Sequence, residues 1–404
     1  MQIRRVVSMI MDSNMTDAAI PITNDNRTYA MLAKPVCDAC NLRCEYCYYT
    51  GKEHLLKTGT MKMRDEVLKE YIRQSLAMHG KNARVEFAWH GGEPTIAGLS
   101  FYQKVVRLEQ QYGAGRNIVN SLQTNGMLLN DDFCRFFREE GFLVGVSIDG
   151  PKDCHNAFRK TAEETGSFSA TMRGIELLMK HDVPFNTLTT VNRFNQDKAE
   201  EVYDFLRTFT DWMQFLPVVE CAPAVYETEA CQLFAEPPSI HGIRLKHPLM
   251  PFAVTPEGYG TFMCRIYDKW KARDEGRKHV QLIDVTLGNM KQIPSSLCVH
   301  NPLCGHSGCV EANGDVYACD RYAFPAYLLG NLMETDFGEL MEKNRTFGMH
   351  KTIGLPEECL DCAHVCLCFG GCPKDRLWER KNYLCEGYRM FFAHITDKER
   401  RGKV

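Results

Sequence analysis

Three cysteines stand close together early in this chain, at the spacing C-x3-C-x2-C. They are Cys40, Cys44 and Cys47, and Tyr46 directly precedes the last of them. If the 19 cysteines were distributed at random over 404 residues, this spacing would arise only about 0.04 times. Structural zinc sites usually have four ligands in two pairs, whereas an uneven triad suits a cubane iron–sulfur cluster with one open iron. The spacing therefore favours such a cluster, with zinc as the alternative.

A second group of cysteines lies in the last quarter of the chain. Eight of them predict two further four-thiolate sites, although the pair Cys359-x2-Cys362 is also compatible with a zinc ribbon. The eight are Cys298, Cys304, Cys319, Cys359, Cys362, Cys368, Cys372 and Cys385. Disulfide-rich scaffolds are short secreted chains. A large chain with an odd number of cysteines instead indicates a reducing compartment, here the cytoplasm, in which thiolates bind metal clusters.

Short apolar runs alternate with helix-period segments from residue 29 to about residue 220. This alternation is typical of repeated βα units around a parallel sheet. We expect strands at Met31–Val36, Val85–Trp89, Ile118–Gln123, Leu143–Ile148, Phe185–Val191 and Met213–Val219. Helices are expected between them at Arg64–Met78, Phe101–Tyr112, Asp132–Glu140, Phe168–His181 and Asp197–Thr208. A later helix is predicted to begin at Pro256, because proline favours the first helical position.

Polar and glycine-rich segments follow the predicted strands. GGEP at 91–94 follows the second strand, QTNG at 123–126 the third and SIDGP at 147–151 the fourth, while the first strand leads into the cysteine triad. A glycine pair by itself usually marks only a turn. Because ligands gather at the carboxyl ends of parallel strands, the shared position predicts a binding site at this rim of the sheet.

The composition argues against several classes of partner. A net charge of -3 without a concentrated run of Lys or Arg argues against a nucleic-acid-binding surface. The sequence has no run of 18 apolar residues, so we expect no membrane-spanning helix. An apolar fraction of 44% with 25% charged residues is typical of an ordinary globular protein, and the length allows two or more domains.

The triad with Tyr46 resembles the signature of the radical S-adenosylmethionine (SAM) enzymes, and the later cysteine spacings resemble the SPASM extension found in that family. Five strings narrow the resemblance to the anaerobic sulfatase-maturating enzymes. They are AKPVCDACNLRCEYCYY, WHGGEPT, SLQTNG, FLVGVSIDGP and NGDVYACDRY. The resemblance runs from about residue 31 to residue 392. It implies that a cysteine or serine of an unfolded or nascent sulfatase is oxidised to Cα-formylglycine.

The resemblance implies an α/β fold, in which a partial (β/α)6 radical SAM barrel is followed by a cysteine-rich SPASM domain holding two auxiliary clusters. We assign residues 1–30 to an N-terminal tail, 31–220 to the barrel and 221–297 to a connecting region. Residues 298–385 are assigned to the SPASM domain and 386–404 to a C-terminal helix or tail.

The implied cofactors are SAM and three 4Fe–4S clusters. The triad would hold the cluster that binds SAM. The nearer auxiliary cluster would be held by Cys298, Cys304, Cys319 and Cys372. The outer one would be held by Cys359, Cys362, Cys368 and Cys385. Cys309 and Cys366 lie beside these ligands and are alternatives to them. Small buried apolar roles are expected for Cys37, Cys134, Cys154, Cys221, Cys231 and Cys264.

The resemblance also implies which residues contact SAM. They are Tyr46, Gly91, Gly92, Glu93, Ser147, Arg159 and Val219. Tyr46 and Val219 are expected at the adenine. Glycines let backbone carbonyls approach an ammonium group, and Arg159 presents a planar fork of donors that suits a carboxylate. Ser147 is expected at the ribose or carboxylate. His90, just before the glycines, is either a contact of the substrate peptide or a packed histidine.

In the implied reaction, a 5′-deoxyadenosyl radical takes a hydrogen atom from Cβ of the target residue. One proton and one more electron must then leave, so a base must lie within hydrogen-bond reach of the thiol or hydroxyl. Asp320, directly after Cys319, is the predicted general base. The implied partners are a sulfatase segment of the form C/S-x-P/A-x-R and a low-potential electron donor such as a flavodoxin or ferredoxin.

Two other functions remain open. Another SPASM enzyme would form thioether or carbon–carbon crosslinks in a small precursor peptide, often with a fused leader-binding domain. The stretch before Met31 is short and polar, which does not favour such a domain. A noncatalytic adaptor would use the same cysteines for zinc. Iron content separates the adaptor from both enzymes.

Overall fold

The computed structural model describes residues 31–49, 52, 62–222, 248–377 and 380–401. The predicted tail at 1–30, Cys231 and residues 402–404 lie outside them. Ten strands of the described residues form one sheet in the order β10-β9-β8-β1-β2-β3-β4-β5-β6-β7. These strands are β1 Met31–Ala33, β2 Arg84–Trp89, β3 Asn117–Thr124, β4 Leu143–Ser147, β5 Phe185–Val191, β6 Trp212–Pro217, β7 His279–Val280, β8 Cys309–Val310, β9 Asp315–Tyr317 and β10 Leu328–Asn331.

Helices connect and cover the strands. They are α1 Asp65–Ala77, α2 Leu99–Tyr112, α3 Asp131–Glu139, α4 Lys152–Asn156, α5 Phe168–Lys180, α6 Ala199–Leu206, α7 Pro256–Arg273, α8 Gln281–Met290, α9 Phe337–Ile353, α10 Glu357–Leu360, α11 Val365–Cys368 and α12 Cys385–Arg401. Short 3-10 helices occur at Pro94–Ala97, Cys298–His300, Asp320–Tyr322, Pro325–Tyr327 and Pro373–Asp375.

Strands β1 to β6 lie side by side in chain order, and each pair is parallel. Helices occupy every connection between them, as the alternating pattern predicted. Strands β10 and β7 stand at the two ends of the strand order, so the sheet does not close on itself. The predicted partial (β/α)6 barrel is confirmed.

Strand β1 is shorter than predicted. It ends at Ala33, and the chain turns at once, with Cys37 N donating to Lys34 O at 3.4 Å. Pro35 has no backbone N–H to donate to a neighbouring strand. The residues that the sequence predicted as the end of the strand therefore begin the loop that carries the cysteine triad.

Side-chain caps begin three of the described α-helices, with Asp336 capping α9. Thr255 Oγ1 accepts from the N–H of Gly258 at 3.0 Å, and Pro256 occupies the first turn, so the predicted start of α7 is confirmed. Asn130 Oδ1 likewise accepts from the N–H of Phe133 at 2.9 Å. Each cap satisfies a backbone donor that a helix start leaves unpaired.

A buried aromatic cluster fixes the second strand against its helices. Trp89 lies edge-on to Tyr71 of α1 at 5.7 Å and to Tyr102 of α2 at 6.0 Å, measured between ring centroids. All three side chains are fully buried. Each contributes roughly 1.5–3 kcal/mol of burial free energy, and each ring pair adds about 0.5–1.5 kcal/mol. The rim segment that follows Trp89 is therefore anchored on a rigid strand end.

The second cysteine region extends the sheet of the barrel. Strand β8 pairs in parallel with β1, so that Leu32 lies opposite Cys309 and Ala33 opposite Val310. Strands β9 and β10 continue outward in antiparallel pairing. Within the described ranges, no helix has both the length and the apolar character needed to cross a membrane.

Helices α7 and α12 approach each other through two glycines. Alanine normally stabilises a helix interior relative to glycine, but a Cβ on Gly260 would lie 2.7 Å from Cα of Gly387. We expect Gly260→Ala to destabilise the protein by about 1–3 kcal/mol and to lower its apparent melting temperature, measured anaerobically by circular dichroism.

Gly288→Ala in α8 is the matched control, because the nearest atom to a Cβ there is Ile293 Cβ at 3.8 Å. This substitution should leave the melting temperature unchanged or raise it. Equal melting temperatures for the two variants would contradict the predicted clash.

Candidate active site and cluster ligands

The triad lies on the loop that follows β1 at the carboxyl end of the sheet. Cys47 N donates to Cys44 O at 3.0 Å, and Leu42 N donates to the sulfur of Cys40 at 3.3 Å. Burial, together with negative charge on the neighbouring triad thiols, raises the pKa of the Cys40 and Cys44 thiols to about 12. The three sulfurs therefore lie close together, and a bound metal would have to displace their protons.

The glycine pair after β2 packs directly on this loop. A Cβ on Gly92 would lie 2.3 Å from the carbonyl oxygen of Ala39, and one on Gly91 would lie 2.8 Å from that of Cys37. Gly92 N donates to the same Cys37 oxygen at 2.8 Å. Both positions therefore need glycine so that two backbones can touch, a requirement that adds to the SAM contact expected from the sequence.

Glu93 is fully buried and joins two strand ends. Its carboxylate accepts from Thr95 N at 3.0 Å, from Thr124 Oγ1 at 2.7 Å and from Asn125 N at 2.8 Å. Burial raises the pKa of Glu93, and these hydrogen bonds partly offset that effect. Asn125 in turn donates to Asn41 in the cysteine loop at 2.7 Å. Glu93 thus holds the ends of β2 and β3 in register with the triad.

A buried ion pair lies beside the triad. Arg159 Nε lies 3.0 Å from Asp149 Oδ2, and Arg159 Nη2 donates to Asp149 Oδ1 at 3.1 Å. Tyr46 donates its hydroxyl to the same carboxylate and lies with its ring centre 5.5 Å from the guanidinium carbon. Burial raises the pKa of Cys44, and the positive charge of Arg159 partly offsets that effect. Sequence reasoning placed Tyr46 and Arg159 at this rim but missed Asp149 as their common partner.

The other predicted SAM contacts lie at neighbouring strand ends. Ser147, the last residue of β4, accepts from Gln123 Nε2 at 3.0 Å. Val219 is buried just after β6, and its carbonyl accepts from Lys374 Nζ at 2.8 Å. Lys374 also pairs with Glu220 at 2.5 Å. The second cysteine region thus contacts the barrel rim directly.

Asp320 lies half-buried between the two cysteine regions. It accepts a hydrogen bond from Tyr48, the residue after Cys47. Burial alone would raise the pKa of Asp320, but Lys34, His90 and the Tyr48 hydrogen bond hold it below its usual range. The carboxylate is therefore an ionised acceptor. His90 lies close enough to influence Asp320, and burial lowers the pKa of His90 itself.

A buried cluster next to Asp320 was not predicted. Lys34 Nζ lies 3.5 Å from Glu311 Oε1 and 3.3 Å from the ring centre of Tyr49. Tyr49 donates its hydroxyl to Glu311. Burial would lower the pKa of Lys34, but Cys309, Glu311 and Asp320 raise it overall. The sequence features that could have indicated this cluster are the lysine just after β1 and the two tyrosines that follow Cys47.

The later cysteines form two groups of four. In the first group, burial and the charges of Cys298 and Cys372 raise the pKa of both Cys304 and Cys319. In the second, Cys385 and Cys359 act on Cys368 in the same way, and four cysteines line one cavity: Cys359, Cys362, Cys368 and Cys385. The family resemblance implied the same two groups, and their role as cluster ligands stays a prediction.

Cys309 and Cys366, the two alternatives to the assigned ligands, differ in burial. Cys309 is buried in contact with Glu311, at 3.8 Å from sulfur to Oε1. Cys366 is exposed, and Cys37 is buried. No disulfide joins any two cysteines in the described part of the chain.

The donor sets fit iron–sulfur clusters, because each of the two later groups supplies four cysteine thiols, the ligand set of a 4Fe–4S cluster. The side chain of Arg376, buried near both auxiliary groups, also leaves Nη2 without a hydrogen-bond partner. A buried donor of this kind fits an anionic cluster beside it.

Comparisons with known proteins agree with this geometry. The profile of the radical SAM superfamily matches residues 35–206, and that of the SPASM iron–sulfur cluster-binding domain matches residues 304–363. The chain is 39% identical over 376 residues to the serine-type anaerobic sulfatase-maturating enzyme of Bacteroides thetaiotaomicron, covering 91% of this chain and 89% of the relative. It is 32% identical to a cysteine-type enzyme of Clostridium perfringens, covering 90% and 95%.

A solved structure has the same fold. Native anSMEcpe with bound AdoMet and the Cp18Cys peptide superposes with a TM-score of 0.78 at 30% identity, covering 92% of this chain and 98% of that chain.

The contact between the glycine pair and the cysteine loop predicts a selective loss of metal. After anaerobic reconstitution, we expect about twelve irons per chain for the unmodified protein. Gly92→Ala should reduce this to about eight irons, because a Cβ 2.3 Å from Ala39 O would displace the triad loop and leave the later cysteines intact. Metal analysis and electron paramagnetic resonance (EPR) would measure the loss.

Gly80→Ala is the control, since a Cβ there has no atom within 4 Å, and it should keep about twelve irons. Full iron content in the Gly92 variant would show that the close contact is not needed for the triad site. Predominant zinc in the unmodified protein would support the adaptor instead.

Proposed function

Because this chain belongs to the anaerobic sulfatase-maturating enzymes, a radical SAM family with a SPASM domain, we propose that it oxidises a cysteine or serine of a sulfatase polypeptide to Cα-formylglycine. The cofactors of this family are SAM and 4Fe–4S clusters. One observation carries the proposal. A single carboxylate, Asp320, adjoins Cys319 of the second cysteine region and accepts a hydrogen bond from Tyr48 beside Cys47 of the first.

The triad would hold the cluster that binds SAM, and the two later groups of four cysteines would hold the auxiliary clusters. When bound, SAM and these clusters supply the one-electron chemistry that removes a hydrogen atom from Cβ of the target. The proposed barrel at 31–220 and SPASM domain at 298–385 are supported by profile matches within each range, 35–206 and 304–363.

Some rim residues are proposed to contact SAM directly, and others to hold those residues in position. Tyr46, Gly91, Gly92, Ser147, Arg159 and Val219 are proposed contacts. Glu93 acts indirectly, because its two carboxylate oxygens already accept hydrogen bonds from Thr95, Thr124 and Asn125. It would fix the glycine pair on which the amino group of SAM is expected. Asp149 would orient Arg159 and Tyr46 in the same indirect way.

Asp320 would receive the proton of the substrate thiol or hydroxyl. Tyr48 donates to Oδ2 of Asp320, which leaves Oδ1 as the proton acceptor. The fixed Tyr48 hydroxyl and the nearby Lys34 ammonium keep the carboxylate in one orientation and favour its ionised form. Loss of one more electron completes a carbonyl bond from serine or a thiocarbonyl bond from cysteine, and the auxiliary clusters would supply the electron acceptor. For cysteine, water must then replace the sulfur, which leaves as hydrogen sulfide, to give the aldehyde.

The proposed partner is an unfolded or nascent sulfatase segment of the form C/S-x-P/A-x-R. It is supported by the solved relative, which is described with a bound Cp18Cys peptide. A low-potential donor such as a flavodoxin or ferredoxin would reduce the triad cluster. Because metal-binding thiolates need a reducing compartment, the proposed location of this reaction is the cytoplasm.

Asp320→Asn tests the proposed base. We expect this variant to keep all clusters and to cleave SAM, while formylglycine formation falls by about 10²–10⁴-fold, the usual contribution of general base catalysis. Peptide mass spectrometry with aldehyde trapping would measure the product, and 5′-deoxyadenosine release would measure SAM cleavage.

Asp132→Asn provides a matched control, because its side chain is 69% exposed on α3, and it should behave like the unmodified protein. Undiminished aldehyde formation by Asp320→Asn would remove Asp320 as the base.

A pair of peptides tests the substrate. The serine-type relative is the more similar, at 39% identity against 32% for the cysteine-type one, so we expect a peptide with serine in the motif to be oxidised. Anaerobic incubation with SAM and dithionite should give an aldehyde from the Ser peptide, and the Cys peptide measures the preference. Crosslinked products without a trapped aldehyde would support the crosslinking alternative.

A further inference from the structure

Two buried cations lie between the auxiliary cysteine groups without a carboxylate partner. Lys351 of α9 is fully buried, and Arg376 is 3% exposed. Among the described residues, neither side chain forms an ion pair with Asp or Glu, in contrast to Arg159 and Lys34 at the barrel rim. Arg159 pairs with Asp149, and Lys34 pairs with Glu311.

Lys351 fixes the turn that carries Cys298. Its ammonium donates to the carbonyl oxygens of Cys298, of Val299 at 2.9 Å and of Asn301 at 2.6 Å. Three carbonyl dipoles solvate the ammonium but do not cancel its charge. A buried charge that is solvated in this way still favours a nearby anion.

Arg376 bridges the two cysteine groups. Its Nε donates to the carbonyl oxygen of Gly370 at 3.3 Å, and its Nη1 donates to that of Lys351 at 2.8 Å. Gly370 stands midway between Cys368 of one group and Cys372 of the other. A Cβ on Gly370 would lie 2.8 Å from Nη2, so the glycine leaves room for the guanidinium. Nη2 itself is buried and has no hydrogen-bond partner.

The charges that act on these cations come from both groups. Burial lowers the pKa of Arg376, and Tyr322, Cys372, Cys359 and Cys368 oppose that effect. Burial also lowers the pKa of Lys351, opposed by Cys304 and Cys298. Arg376 therefore interacts electrostatically with thiols of both cysteine groups, and Lys351 with thiols of the first group.

We propose that Arg376 and Lys351 are positioning residues that raise the reduction potentials of the auxiliary clusters relative to the triad cluster. The inference rests on the cluster assignment in the proposed function. A nearby cation or N–H donor stabilises the additional negative charge of a reduced cluster, and net charge and hydrogen bonds to sulfur both tune iron–sulfur potentials. Near the triad, Asp149 balances Arg159 and Glu311 balances Lys34, whereas no carboxylate in the described part of the chain forms an ion pair with Lys351 or Arg376.

A higher potential of the auxiliary clusters would favour transfer of the substrate electron to them over transfer to the triad cluster. The substrate has then lost a hydrogen atom from Cβ and a proton to Asp320, and its last electron completes the two-electron oxidation. Auxiliary clusters of higher potential accept that electron more readily than the triad cluster does.

An EPR-monitored redox titration of the reconstituted full chain tests the inference. Arg376→Gln removes the charge and should move the midpoint potentials of the auxiliary clusters to more negative values, with the triad cluster unchanged. Arg376→Lys keeps the charge and should restore most of the shift. Lys351→Met should lower the potential of the cluster near Cys298 more than that of the other.

Arg389→Gln is the matched control. Arg389 also lines the cavity of the outer group, but its side chain is 56% exposed and lies 3.5 Å from Glu386. Solvent screening and this carboxylate should keep its effect on the potentials small.

Unshifted auxiliary potentials in Arg376→Gln, or an equal shift in Arg389→Gln, would overturn the inference. If Arg376→Gln loses iron, Lys351→Met tests the inference instead. An unshifted potential of the cluster near Cys298 in that variant would contradict the inference. Potentials are measured without a sulfatase peptide. Absence of aldehyde from the unmodified enzyme would therefore reject the proposed function while leaving the potential shifts to be judged separately.

Discussion

The parallel pairing of β8 with β1 determines how the two cysteine regions meet. It is short, joining Leu32 to Cys309 and Ala33 to Val310. The chain nevertheless leaves β1 directly into the triad loop and leaves β9 directly into the turn that carries Cys319. Tyr48 and Asp320, 272 residues apart in the chain, are therefore brought into hydrogen-bond contact. The proposed base depends on this pairing for its position relative to the triad.

Two buried ion pairs hold the elements of the rim in one arrangement. The Lys34–Glu311 pair joins the end of β1 to the residue after β8, and the Arg159–Asp149 pair joins the segment after α4 to the end of β4. Breaking either pair would leave an uncompensated buried charge, which costs about 3–5 kcal/mol. Each element is therefore held in place by its partner. At the auxiliary groups, the buried cations Lys351 and Arg376 have no carboxylate partner among the described residues. There the cysteine thiolates would supply the compensating negative charge.

Close backbone contact is the other requirement of the site. The glycine pair at 91–92 lets the end of β2 lie against the cysteine loop, and Gly370 makes room for the guanidinium of Arg376. Sequence reasoning assigned Gly91 and Gly92 to the cofactor alone. The structure adds a packing reason for both, so a substitution there would disturb the triad even if SAM were absent.

The sequence alone located the strands β1 to β6, the helices between them and the residues that carry the cysteines, because periodicity and spacing are local properties of a chain. It did not predict the strands β7 to β10 or the pairing of β8 with β1, which joins residues far apart in the chain. It did locate the rim, since the carboxyl ends of parallel strands must share one edge of the sheet. Only the tertiary structure decided the partners of the polar groups: Asp149 for Arg159, Glu311 for Lys34, Tyr48 for Asp320 and the unbalanced pair of Lys351 and Arg376. Most of these partners are distant in sequence, and all depend on side-chain distances that local spacing does not specify. Burial makes each of these partners necessary for stability, because a charge removed from water must be compensated by a group that the fold brings to it.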